Sequence, residues 1–118
     1  YYASRGLGDV YKRQVSAHLI EFLILSVLQK EDSYGYEISR TVKLVADIKE
    51  STLYPILKKL EKNGFMTTYT KEYQGRKRKY YSLTDAGVEE LKFLNSEWIS
   101  YRDTIDGIVE GRIKNDER

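Results

Sequence analysis

The side chains with the most chemistry to offer are cations and hydroxyls gathered in two runs. Ser51, Thr52, Tyr54, Lys58 and Lys59 make up the first, and Arg76, Lys77, Arg78 and Lys79 stand consecutively in the second. Such groups reach base edges and phosphate oxygens, and four adjacent cations repel one another until an anion relieves them. The chemistry on offer is therefore contact with a polyanion, not bond making. The charge distribution points the same way. Residues 49–79 hold nine Lys or Arg against three acids, 15–48 hold three against five, and 80–118 hold five against nine. A formal charge of +2 thus conceals one strongly cationic segment.

Catalysis has little to work with. The one histidine, His18, lies at the edge of an apolar stretch, and the chain has no cysteine. No Gly-rich phosphate loop, His-rich ligand spacing or carboxylate pair stands out, so no enzyme, metal or cofactor is expected. Without cysteine there is no disulfide to protect, which suits a cytoplasmic protein. The longest apolar run, 19–28, contains Glu21 and is about half the roughly twenty residues a bilayer-spanning helix needs. It predicts a buried core helix and no membrane contact. Lys12 and Arg13 ahead of it resemble the start of a secretion signal, but no small-residue cleavage site follows.

At 118 residues the chain suits one compact domain. Residues 1–14 show neither helical nor strand periodicity, and 9–14 resemble a translated sequencing adapter, so a non-native or disordered extension is expected there. Residues 17–29 are apolar on nearly all sides and predict a first helix packed mid-domain. Ser33 caps a second helix, with Glu37 near its positive end and Ile38, Val42 and Val45 as its buried stripe. Glu50, Ser51 and Thr52 open a third, whose Leu53, Ile56, Leu57 and Leu60 face inward and whose end is Asn63-Gly64. Counted from Thr52 as cap, Pro55 falls at the third helical position, where an N–H has no partner to lose.

Residues 65–73 and 78–83 predict two strands joined through Gln74-Gly75. Thr84-Asp85 caps a last helix reaching Ile108 or as far as Lys114. On it Leu91, Leu94, Trp98, Tyr101, Ile105 and Ile108 form a heptad seam, which seeks a partner helix; packing on its own domain is the other reading, and Gly107 and Gly111 weaken its end.

Helix, helix, helix, two strands, helix is a mainly α fold with a small β-hairpin: a winged helix-turn-helix over 15–84 followed by a dimerisation helix over 85–118. In that arrangement the third helix enters the major groove of double-stranded DNA and the wing meets the flanking backbone. The candidate contacts are Ser33, Tyr34, Lys49, Ser51, Thr52, Tyr54 and Lys58, with Arg76, Lys77, Arg78 and Lys79 on the wing.

Ser33-Tyr34-Gly35-Tyr36-Glu37-Ile38, then Thr52-Leu53-Tyr54-Pro55 with Leu60-Glu61-Lys62-Asn63-Gly64, then the run from Gly75 through Arg76-Lys77-Arg78-Lys79-Tyr80-Tyr81-Ser82-Leu83-Thr84-Asp85-Ala86 to Gly87 resemble the PadR family of bacterial transcriptional regulators. The combined match spans about 19–91. The resemblance implies a homodimer, usually a repressor, on an inverted repeat. A single helix after the wing is similar to the short subfamily, in which that helix crosses to the partner's first helix. Some of its members bind flat aromatic effectors in the dimer cleft through a tryptophan, which would be Trp98 here; filling the dimer core is the other reading of that residue. The rival to DNA binding is a winged helix used for protein contact, which has no need of four cations on its wing.

Overall fold

The computed structural model describes residues 16–113, so expectations on 1–14 and on Lys114 lie outside the described residues. Four helices pack around a three-stranded antiparallel sheet: α1 (Ala17–Lys30), β1 (Ser33–Tyr34), α2 (Gly35–Val42), α3 (Glu50–Lys62), β2 (Met66–Tyr73), β3 (Arg76–Leu83) and α4 (Asp85–Val109). The sheet order is β1-β3-β2. This is the expected winged architecture with one strand more than the sequence predicts.

Helix α1 begins at Ser16, whose hydroxyl accepts the Leu19 N–H at 3.2 Å. Ile20, Ile24, Leu25 and Leu28 line its inner face. They meet Ile38 and Val42 of α2, Leu53, Leu57 and Leu60 of α3, Met66 and Tyr81 of the sheet, and Leu91 and Leu94 of α4. Helix α2 stops at Val42, short of Val45, which is 39% exposed in the turn; Ala46 and Ile48 fill the core in its place. The turn closes itself with successive carbonyls, the Val42 oxygen accepting from both Val45 and Ala46. That local bonding ends the 3.6-residue period before Val45 can join it.

Ser33 does not cap α2. It pairs with Tyr81 in β1, and Tyr34 pairs with Tyr80. The Ser33 hydroxyl instead donates to Glu37 Oε1 at 2.5 Å, and the extended Tyr34 takes the cap position. Helix α3 starts three residues before the point that Pro55 suggests. Lys49 is its N-cap, and its carbonyl accepts from both Thr52 and Leu53. Pro55 is consequently inside the second turn, and the bond that a residue there would donate to the Ser51 carbonyl cannot form.

The hairpin register runs from Met66↔Leu83 to Tyr73↔Arg76, leaving Gln74 and Gly75 as a two-residue turn. Both have positive φ, +51° and +79°, as a turn matching the twist of the strands requires. Helix α4 is capped by Thr84, whose hydroxyl accepts the Gly87 N–H and donates to the Gly64 carbonyl at 2.6 Å. Gly87 lies so close to β2 that a Cβ there would fall 2.0 Å from the Phe65 carbonyl oxygen. At the far end Gly111 turns the chain with φ +78°, and Ile113 folds back over Gly107. The helix therefore ends at Val109, at the near limit of the expected range.

Candidate nucleic-acid interface

Helix α3 spends Leu53, Leu57 and Leu60 on the core and turns Ser51, Thr52, Tyr54, Lys58 and Lys59 outward. The Tyr54 ring lies across the start of α2, where a Cβ on Gly35 would meet it at 3.0 Å. This contact sets α3 against α2 while leaving Tyr54 46% exposed. Lys59 is not available in the same way as Lys58: its ammonium sits 3.2 Å from the carboxylate of Glu21, which is nearly buried on α1. Glu50 at the helix start pairs at 3.7 Å with Lys43, and Lys49 and Lys58 have no ion pair among the described residues.

Ser33 is 1% exposed and its hydroxyl is committed to Glu37. It therefore belongs to the framework, a correction to its place among the candidate DNA contacts, made by the sheet pairing that draws β1 into the core. Tyr34, also a candidate, turns its ring toward the wing. Tyr36, which the apolar stripe of α2 leaves outward, is 60% exposed with Arg40 5.9 Å from its ring centre. It is a further candidate, and its sequence signals are its place in the Ser33–Ile38 motif and an aromatic off the buried stripe.

The wing does not present four equivalent cations at a tip. Strand β3 begins at Arg76, so side chains alternate between the faces of the sheet: Arg76 and Arg78 on the outer face, Lys77 and Lys79 on the inner. That alternation relieves part of the repulsion that a bunched run would carry. Lys79 is 4.0 Å from Glu61 and 5.4 Å from the Tyr81 ring centre. Arg76 and Lys77 are exposed and have no ion pair among the described residues. Arg78 is half-buried, its guanidinium carbon 3.9 Å from the Tyr34 ring centre and 4.0 Å from that of Tyr73, with Nη1 3.3 Å from the Tyr80 hydroxyl. On the same face Tyr69 stacks on Tyr80, centroids 5.6 Å apart, and donates to Asp32 at 2.6 Å. That hydrogen bond first, then desolvation and the carboxylate's charge, raise the Tyr69 pKa above its ordinary value. Burial raises that of Tyr81, with Glu61 and Tyr54 adding to it.

The seam of α4 divides. Leu91 and Leu94 pack in the chain's own core at 5% and 6% exposure, because α4 lies along α1 over this stretch. Trp98 is half-buried beside Tyr101, ring centres 6.1 Å apart. Tyr101, Ile105 and Ile108 are 62%, 41% and 59% exposed. Between α1 and α4 a groove of about 180 Å³ is lined by Phe22, Ser26, Gln29, Leu91, Lys92 and Asn95. No described helix is long and apolar enough to cross a membrane, and no described group of His, Cys, Asp or Glu could hold a metal ion.

Known proteins share this arrangement. The model of the transcriptional regulator PadR-like family matches residues 24–93. The crystal structure of smu.1704 from Streptococcus mutans UA159 superposes with a TM-score of 0.84 at 67% identity, covering 86% of this chain and 96% of that one. A PadR family transcription regulator from Clostridium difficile R20291 gives 0.70 at 34% identity, covering 76% and 97%. The negative transcriptional regulator PadR of Bacillus subtilis is 39% identical over 79 residues, 62% of this chain and 43% of its own length. The chain belongs to the PadR-like family of transcriptional regulators.

Proposed function

We propose that this regulator represses transcription as a homodimer, occupying an inverted-repeat operator with α3 in the major groove and the wing on the flanking backbone. The observation that carries the reading is the set of exposed cations Lys49, Lys58, Arg76 and Lys77, which have no ion pair among the described residues and lie along the reading helix and wing. Relief of their charge by phosphate accounts for them better than solubility does. Repression is favoured by the Bacillus subtilis relative, a negative regulator. Dimerisation is favoured by the apolar half of α4, where Tyr101, Ile105 and Ile108 are exposed. Two copies of α3 would then sit about 34 Å apart, one turn of DNA. A planar aromatic effector would bind at Trp98, between the last helices, and change that separation.

Selection of duplexes from a random library by the purified chain tests the central claim. Enrichment of an inverted repeat with half-sites one turn apart is the expected result. Recovery of no motif would overturn it and bring forward the protein-contact reading. Four phosphate contacts per subunit predict that the logarithm of affinity falls with log salt at a slope of about −3.6 per subunit. Ile105→Asp with Ile108→Asp should give a monomer by sedimentation, and equal binding of planar aromatics by Trp98→Ala and the unaltered chain would remove Trp98 from the effector site.

A further inference from the structure

We propose that Arg78 is a positioning residue, not a phosphate contact: its guanidinium, held between Tyr34 and Tyr73, fixes the pitch of the wing relative to helix α3. The proposal rests on the reading of the chain as a DNA-binding regulator and divides the labour among its wing cations. The ladder that joins the wing to the helical body is short, only Ser33↔Tyr81 and Tyr34↔Tyr80, while β2 and β3 continue well beyond it toward Gln74. Near that base Thr68 donates to Glu61 of α3 at 3.3 Å and Lys79 lies 4.0 Å from the same carboxylate, so the part of the hairpin beyond Lys79 is what would swing. Arg78 lies two residues further toward the tip than Tyr80, yet its guanidinium reaches back to 3.9 Å from the Tyr34 ring centre while lying 4.0 Å from that of Tyr73. Planarity matters here, because a guanidinium presents two faces to two rings and an ammonium does not.

The outer face carries two more ties to the same segment: Tyr69 donates to Asp32, and Tyr80 meets Tyr34 edge-on at 5.6 Å while stacking on Tyr69. Tyr34 leads directly into Gly35, the residue on which Tyr54 of α3 rests. A continuous series of contacts therefore joins the wing to the reading helix, with Arg78 linking Tyr73, beside the turn, to Tyr34. Arg76 and Lys77, closer to the turn, are left to meet phosphate at the height and angle this series sets.

The test is a double-mutant cycle on the full chain, with the duplex enriched from the random library as probe and affinity measured over a range of salt. Arg78→Lys keeps the charge but loses the stacking, and should weaken binding by about tenfold. Tyr73→Leu should weaken it to a similar extent, and the double variant should be no more than about twofold worse than either, because both break the shared Arg78–Tyr73 contact. In all three the salt slope should match the unaltered chain, whereas Lys77→Gln should flatten it by about 0.9 per subunit. The active fraction from stoichiometric titration should be unchanged, which a mere loss of folding would not allow. Unaltered binding by Arg78→Lys, multiplicative losses in the double variant, or a flattened slope in Arg78→Lys would each overturn the positioning role while leaving the DNA-binding reading intact. Failure of the unaltered chain to bind any duplex would overturn both.

Discussion

Replacing Lys59 by Met tests the account of the one carboxylate drawn into the apolar side of α1. Glu21 has a side chain 9% exposed, and Lys59 Nζ, 3.2 Å away, is its ion-pair partner among the described residues. At that distance and an effective dielectric of about 20, the attraction is roughly 5 kcal/mol before desolvation is charged against it. The lysine end is 60% exposed, so solvent screens most of this, and we expect Lys59→Met to cost about 1–2 kcal/mol by leaving the carboxylate buried without its partner. Glu21→Leu combined with Lys59→Met should recover that loss to within about 0.5 kcal/mol or exceed it, since an apolar side chain of similar volume suits the neighbouring Ile24 and Leu25. Urea unfolding at one fixed protomer concentration measures both, the concentration being held because association shifts apparent stability. A Lys59→Met variant as stable as the parent, or a double variant as unstable as the single one, would refute the reasoning.

Gly87→Ala should destabilise the chain by about 1–3 kcal/mol in the same unfolding assay, because the added Cβ would stand 2.0 Å from the Phe65 carbonyl oxygen and 2.7 Å from Leu83, forcing the α4 cap off β2; an unchanged midpoint would show that the cap is free to shift. The Tyr69 phenol, held protonated above its ordinary 10.0 by the Asp32 hydrogen bond, contributes stability that is complete below that value and is lost as pH rises through its higher folded value. The stability difference between the parent and Tyr69→Phe should therefore close at alkaline pH, and a difference independent of pH would remove the hydrogen bond as its cause.

The helices were legible because their buried residues repeat on a strong period: Ile38 with Val42, and Leu53 with Leu57 and Leu60, lie where the spacing puts them. Strand β1 was not, since two residues are too few to show an alternation, and a serine before a polar turn reads equally well as a cap. The start of α3 is hidden in the sequence for a related reason. Ser51 and Thr52 are better caps than Lys49 by residue type, yet Lys49 holds the cap position without a side-chain hydrogen bond. Leu91 and Leu94 show the limit of a heptad pattern, which reports an apolar seam without saying whose helix fills it. The division of the wing cations was recoverable in principle. Taking Gln74-Gly75 as a two-residue turn makes Tyr73 and Arg76 partners, and alternation then separates Arg78 from its lysine neighbours. What no pattern conveys is that Tyr34, remote in sequence, supplies the other half of the guanidinium's seat.

The pairing of β1 with β3 also orders events in time. Ser33 and Tyr81 meet across roughly fifty residues, a closure costing about 3.5 kcal/mol of chain entropy, whereas the β2–β3 hairpin closes locally within microseconds. The hairpin and the helix pair can each take shape early, and their union comes last. On a ribosome adding about 5–20 residues per second, β1 emerges roughly 2–10 s before the strand that will hold it. From the point at which Lys62 has been added, the nascent chain has α3 but not the wing's register, so α3 and the wing become aligned only once Tyr80 and Tyr81 have been made and released from the exit tunnel.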